Sequence, residues 1–447
     1  MKRLWSTLTL FVVLAGLGAY IYFTGAKPAD EKSEQPKLFA NLEAAQIADL
    51  TVKSASGEET TLHKAEDGWK LTAPIATAAS ETSTTGIVNA LADMQVVRVV
   101  DENPSDLKEF GLAPPRATIA FKTADGKTTG TLLVGEKTTT GGNIYAQRQG
   151  ETRVVLVGQY YESTLNQSTF DLRDKTIVKF DPAKVSGLDL TINGKSGELT
   201  KTGDDWKVVT PAATRADNSA AEGLLTRVTA VQMKSAVTGA PSQADLKKFG
   251  LEKPDAVITI RVGADRTGLV IGGKAAEDTV YVRETNKPDI FTIDATAADE
   301  LKKPVDEYRR KEMFDFRAFT ATRIEITHEG KTLTLERVKS DKPEVADSWK
   351  RLTPTASDAD REKVESFLAN LADIRAVSFQ TSTASTGLNT PVMTAIAKFD
   401  EGKKEEKVTF GKNGDAAYAT RTDEPGVAKI DPSKFDDAIT NFTELIK

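Results

Sequence analysis

Asp67-Gly68-Trp69-Lys70-Leu71-Thr72-Ala73-Pro74, Asp205-Trp206-Lys207-Val208-Val209-Thr210-Pro211 and Ser348-Trp349-Lys350-Arg351-Leu352-Thr353-Pro354 are one phrase written three times. The tryptophans stand 137 (69 to 206) and 143 (206 to 349) residues apart. A long, nearly fixed period is the signature of a chain that reuses one folding unit. The remaining tryptophan, Trp5, lies outside the pattern.

Further markers keep step with the first. Leu91, Val228 and Leu371 each follow their tryptophan by 22 residues (69 to 91, 206 to 228, 349 to 371). Asp106-Leu107-Lys108-Glu109-Phe110-Gly111-Leu112 returns as Asp245-Leu246-Lys247-Lys248-Phe249-Gly250-Leu251. The third copy departs from it and reads Thr386-Gly387-Leu388-Asn389-Thr390-Pro391. Apolar runs ending in Gly135, Gly272 and Gly411 precede Tyr145, Tyr281 and Tyr418. Copies one and two share an exit, Arg173-Asp174-Lys175 and Arg309-Arg310-Lys311.

The local pattern predicts the elements. Leu188, Leu190 and Ile192 alternate along one strand face, and Asn193-Gly194 then suits a two-residue hairpin turn, whose positions need positive φ. Ile324 and Ile326 before Glu329-Gly330 repeat this. The proline after each tryptophan strand ends it. Val364, Phe367, Leu368, Leu371 and Ile374 fall at helical spacing, and Ser357 with Asp360 reads as a capping box at that helix start. Asp-Leu-Lys-x-Phe-Gly reads as one helical turn closed by a glycine cap. Strands return from Ala117, Val257 and Ala395, and a terminal helix, clearest over residues 433–445, is expected to close each unit. Strands in runs with helices between them predict an α+β class, with an antiparallel or mixed sheet and packed helices in each copy. The units are read as residues 41–181, 182–317 and 318–447.

Ahead of them, Leu4 to Phe23 is uncharged and mostly apolar. Its length matches a ~30 Å hydrocarbon core at ~1.5 Å rise per residue. Trp5, Tyr20, Tyr22 and Phe23 sit near its ends, where aromatic rings favour the interface. A cleaved signal peptide would have a shorter apolar core, although Thr24-Gly25-Ala26 resembles a cleavage site. The expectation is an uncleaved, single-pass anchor at residues 4–23. Residues 1–3 form a cytoplasmic tail, because Lys2 and Arg3 favour the inside, and residues 24–40 form a flexible tether. The bulk then lies on the far side of the membrane.

Composition excludes more than it assigns. The 39% hydrophobic content is enough for packed cores, so extended disorder is not expected. The net charge of −6, with mixed signs along the chain, leaves no basic footprint for nucleic acid. Without cysteine there are no disulfides, thiolate metal sites or thiol nucleophiles. Gly126-Lys127-Thr128, Gly194-Lys195-Ser196 and Gly330-Lys331-Thr332 look like P-loop ends. A P-loop needs another glycine five residues earlier, where Phe121, Asp189 and Glu325 stand, so these are hairpin turns. The two histidines, His63 and His328, occupy different places in their copies and have no partner at metal spacing. No catalytic, cofactor-binding, small-molecule or metal site is expected. Trp69, Trp206, Trp349, Leu91, Val228, Leu371, Phe110, Gly111, Phe249, Gly250, Tyr145, Tyr281 and Tyr418 are expected as structural markers of the repeat core.

The Trp-Lys-x-x-x-Pro hairpin, the Phe-Gly-Leu turn, the strand ending in glycine, the tyrosine strand and the Arg-x-Lys exit resemble the DUF4340 family, as tandem copies over most of residues 41–447. The resemblance implies a bacterial membrane-anchored protein of unestablished function, commonly encoded beside ABC-type transporter components of the gliding-motility auxiliary kind. The expected function is a non-enzymatic envelope accessory protein that contacts such a transporter. One alternative is a periplasmic glycan- or polymer-binding module, which requires exposed aromatics in each copy. The least favoured alternative is a hydrolase using Ser-Lys or paired carboxylates.

Overall fold

The computed structural model describes residues 35–447 apart from Pro343 and Val345. The expected anchor at Leu4 to Phe23, its tail and most of the tether lie outside the described residues. No helix among the described residues is long and apolar enough to cross a membrane. The chain divides into two compact units, one ending at Lys175 and one from Thr176 to Lys447. The first holds one copy of the repeat and the second holds two.

In the first copy the strands are β1 (Ile47–Lys53), β2 (Glu59–Ala65), β3 (Gly68–Ala73), β4 (Thr77–Ala78), β5 (Arg98–Asp101), β6 (Ala117–Thr123), β7 (Thr129–Lys137), β8 (Asn143–Arg148) and β9 (Val154–Gly158). They form a nine-stranded sheet in the order β4-β3-β2-β1-β6-β7-β8-β9-β5. Strands Val185–Ile192 to Ile290–Asp294 and strands Ala321–His328 to Val427–Ile430 repeat that order in two further nine-stranded sheets. The fold is thus α+β with three repeated antiparallel sheets.

Local chemistry explains the registers. Asn193-Gly194 and Glu329-Gly330 both take positive φ (49° and 75°, 49° and 76°), as a tight hairpin turn demands. The strand alternation places Leu188, Leu190 and Ile192 in one core and Ile324 and Ile326 in another, all buried. One long helix packs on each sheet: Glu81–Asp93, Asn218–Ala230 and Arg361–Ala372. Leu91, Val228 and Leu371 are buried on its inner face.

Two local expectations change. The cap of Arg361–Ala372 is Asp360, which accepts from the Lys363 N–H at 3.2 Å, while Ser357 lies in a short strand, Ser357–Ala359. Ser80 and Asp217 cap the equivalent helices from the same place, eleven residues past Trp69 and Trp206. The terminal helix is a single piece only in the third copy, Pro432–Leu445. In the first copy it divides into Tyr161–Leu165 and Thr169–Leu172, with a new capping box at Ser168. In the second, Ala295–Leu301 ends before Pro304, which cannot continue a helix.

Candidate functional site

The three tryptophans lie on a sheet face under the long helix and are buried, with exposures of 5%, 2% and 1%. The backbone N–H of Trp69 donates to Glu81 Oε1 and that of Trp206 to Asn218 Oδ1, both at 2.9 Å, so the helix start is tied to the hairpin. The Trp206 Nε1–H also donates to Glu222 Oε1 at 2.7 Å. Burial pushes that carboxyl up, but hydrogen bonds from Lys201 and Trp206 outweigh it and leave Glu222 below its ordinary value. Trp349 lies under the Arg337 guanidinium at 4.9 Å.

The remaining markers meet on the other side of the sheet. The Phe110-Gly111-Leu112 turn lies on Gly135, where a Cβ would come 2.2 Å from the Phe110 carbonyl oxygen. At Gly272 a Cβ would come 2.5 Å from Phe249 O, and at Gly411 2.5 Å from Thr386 O. Gly111, Gly250 and Gly387 end the turn at φ of 65°, 71° and 70°. The rings of Phe110 and Tyr145 lie 5.1 Å apart and those of Phe249 and Tyr281 4.3 Å apart. Thr386 replaces the phenylalanine in the third copy, beside half-buried Tyr418, and donates to the Thr383 carbonyl oxygen at 2.6 Å. His63 pairs with Asp49 at 2.7 Å on an exposed sheet face, and His328 bonds the Val392 carbonyl oxygen at 2.7 Å. The two are in different copies.

A dense cluster of charge lies where the second copy passes into the third. The exit Arg309-Arg310-Lys311 belongs to a strap that bridges two sheet edges. Arg309 pairs with Ala216 and Glu312 with Arg375, both antiparallel. Three straps are alike. Lys37, Thr176 and Glu312 bridge to Gln95, Gln232 and Arg375, each 26 residues beyond its copy's tryptophan (69 to 95, 206 to 232, 349 to 375). Each strap then buries an apolar pair, Leu38-Phe39, Ile177-Val178 or Met313-Phe314. The last residues of the expected tether are therefore packed in the first core.

Around the strap after the second copy, Arg215 bonds Asp315 at 2.6 Å, Glu424, and the Glu312 carbonyl oxygen at 2.9 Å. Arg310 meets Asp315 at 3.0 Å. Arg421 holds Glu406 at 2.8 Å, the Met313 carbonyl oxygen at 2.8 Å and Asp423 at 2.8 and 2.9 Å. Glu406 also accepts from the N–H groups of Asp315 (2.9 Å) and Phe316 (3.0 Å). Burial pulls the Arg421 guanidinium down, but its carboxylate partners outweigh this and raise it. Arg309 stacks 3.7 Å over Phe379, and burial leaves it lowered. Every strong charge here has an opposite partner, the arrangement of a lock.

A cleft of about 430 Å³ opens beside the lock, lined in part by Asp205, Lys207, Arg215, Asp217 and Arg310. It mixes both signs of charge. Among the described residues no three His, Asp or Glu groups are placed to hold a metal. Sequence reading noticed Arg309, Arg310 and Lys311 but missed Arg215, Glu406, Arg421 and Glu424. The signal was present for two of them. Glu406 is in phase with Val408 and Phe410, and Arg421 with Ala417 and Ala419, so each is a charge in an apolar register.

The fold and its strapped joint define a tandem array of α+β sheet modules. The sequence profile of a family described as "Domain of unknown function (DUF4340)" matches residues 69–205 and again 206–391, and the chain belongs to that family. Both matches begin at a repeat tryptophan. The family carries no catalytic assignment. No curated protein matches the chain. Among solved structures, a DNA polymerase sliding clamp from Pseudomonas aeruginosa with ligand is similar at 7% identity over 89% of this chain and 94% of that one, with a TM-score of 0.17. A DNA polymerase III beta chain from Streptococcus pneumoniae TIGR4 is similar at 11% identity over 87% and 92%, with a TM-score of 0.15. At these scores the likenesses carry no argument about this chain.

Proposed function

We propose that this protein is a non-enzymatic accessory of the cell envelope. It is held in the inner membrane by Leu4 to Phe23 with its N-terminus inside, and it binds a component of an ABC-type transporter through its modules. The lock at Arg215, Glu406 and Arg421 is the observation that carries the binding reading. It fixes copies two and three to one another, and repeated modules in fixed relation make an extended binding surface. The anchor is supported by the uncharged run itself. The transporter is supported by the family resemblance. A glycan platform would need exposed indoles, and all three repeat tryptophans are buried, so the protein-binding reading is preferred.

The test is affinity capture of the full chain from crosslinked bacterial membranes, with a variant lacking residues 4–23 as control. The expected result is co-purification of transporter subunits with the full chain and release of the variant from the membrane fraction. Capture free of any transporter subunit would overturn the partner, and an unchanged membrane fraction would overturn the anchor.

A further inference from the structure

Straps close the outer strand of two of the three sheets. In the first copy the Ser80 N–H donates to Leu172 O at 2.7 Å and the Asp174 N–H to Ala78 O at 2.9 Å. In the second, the Asp217 N–H donates to Tyr308 O at 2.9 Å and the Arg310 N–H to Arg215 O at 3.0 Å. Counted from the tryptophans, the same two groups in the third copy are the Asp358 carbonyl and the Asp360 N–H. Among the described residues neither has a hydrogen-bond partner, and both residues are exposed. Helix Pro432–Leu445 runs unbroken through the stretch where the second copy has already ended its helix and turned toward its strap. An unpaired strand edge is a template for another strand.

The edge also differs in sign. At the position of Asp358 the second copy has Arg215, whose strap side meets the acids Asp315 and Glu424. Asp358 has no ion pair among the described residues, and the nearby Arg361 is held by Glu365 at 2.8 Å. An occupant that matches this edge brings a cation where the internal strap brings carboxylates.

We propose that the edge Ser357–Ala359 of the third copy docks an extended segment of a partner protein. The segment adds as an antiparallel strand on Asp358 O and Asp360 N–H and sets a lysine or arginine against the Asp358 carboxylate. The site does not depend on the partner being a transporter.

The probe is a synthetic peptide of residues 305–316 carrying Asp315→Lys, which turns the carboxylate that meets Arg215 into a cation, added to the full chain. The control is the unchanged, net-acidic strap peptide, which keeps Asp315. The basic peptide is expected to bind saturably and to slow hydrogen exchange at the Asp360 amide about tenfold. Asp358→Arg, on an exposed strand, is expected to weaken it about fivefold and to favour the acidic control. Asp360→Pro removes the outward N–H at a φ of −64° that proline adopts, and is expected to abolish binding. No added protection at Asp360, or equal binding of both peptides to wild type and Asp358→Arg, would overturn the proposal. Concentration-dependent dimers that protect Asp360 without peptide would also overturn it, since the occupant would then be a second copy of this chain.

Discussion

At one position of the repeated module the second copy places Glu284 and the third places Arg421, three residues beyond Tyr281 and Tyr418. Both are buried, and their surroundings have opposite logic. Glu284 is satisfied within its own copy, by the Thr267 hydroxyl at 3.0 Å and the Asn286 N–H at 3.3 Å. Arg421 reaches outward to the strap at Met313 and is neutralised by Glu406 and Asp423. In the first copy the same position holds Arg148, whose guanidinium lies 5.5 Å over Phe39 of that copy's strap. The module's apolar frame is therefore constant, while this position is free to change charge with the strap it serves.

The comparison breaks most visibly at Arg421. Arg421→Met is expected to lower unfolding stability by about 3–5 kcal/mol, because it leaves Glu406 buried and unpaired. Adding Glu406→Gln is expected to return most of that loss, since the neutral amide oxygen needs no counter-charge and still accepts from the Asp315 and Phe316 N–H groups. Denaturant melts of the single and double variants measure both; a double variant as unstable as the single would show that the charge itself is not the fault. Next comes Gly411→Ala, whose Cβ would meet Thr386 O, Gly387 C and Leu388 N at 2.5 to 2.7 Å. A loss of about 1–3 kcal/mol is expected in the same melts. Glu284→Gln is smaller, about 1 kcal/mol, because the amide oxygen still accepts from Thr267.

The smallest effect is that of pH. Burial pushes the Asp423 carboxyl up, but the hydrogen bonds and charge of Arg421 outweigh it and hold it below its ordinary 3.8. A lowered folded value means that its stabilisation is complete above the unfolded value and fades as pH falls through the folded one. Melts below pH 3.8 are therefore expected to fall less steeply for Asp423→Asn than for wild type. Identical slopes would remove Asp423 from the lock.

Much of this was legible beforehand because the chain repeats itself. The tryptophan phrase placed the hairpins, and the offset to Leu91, Val228 and Leu371 placed the helix. Thr386-Gly387-Leu388 hid its kinship because the phenylalanine is only a cover for the tyrosine, whereas the two facing glycines hold the backbone approach. The straps were hidden for another reason. A bridge such as Glu312 with Arg375 joins segments from different copies, and no local periodicity records a long-range edge pairing. The cap at Asp360 was misplaced because Ser357 belongs to a strand whose pairing is decided by the sheet.

Native-state hydrogen exchange on the full chain addresses the strapped joint most directly. The amides of Arg310, Met313 and Ala376 bond across it to Arg215, Ile374 and Lys311. They are expected to open with the same free energy as core strand amides of Ile258 and Ile396, in copies two and three. Exchange of those three amides at the rate of a free loop, with the two cores opening independently, would contradict it.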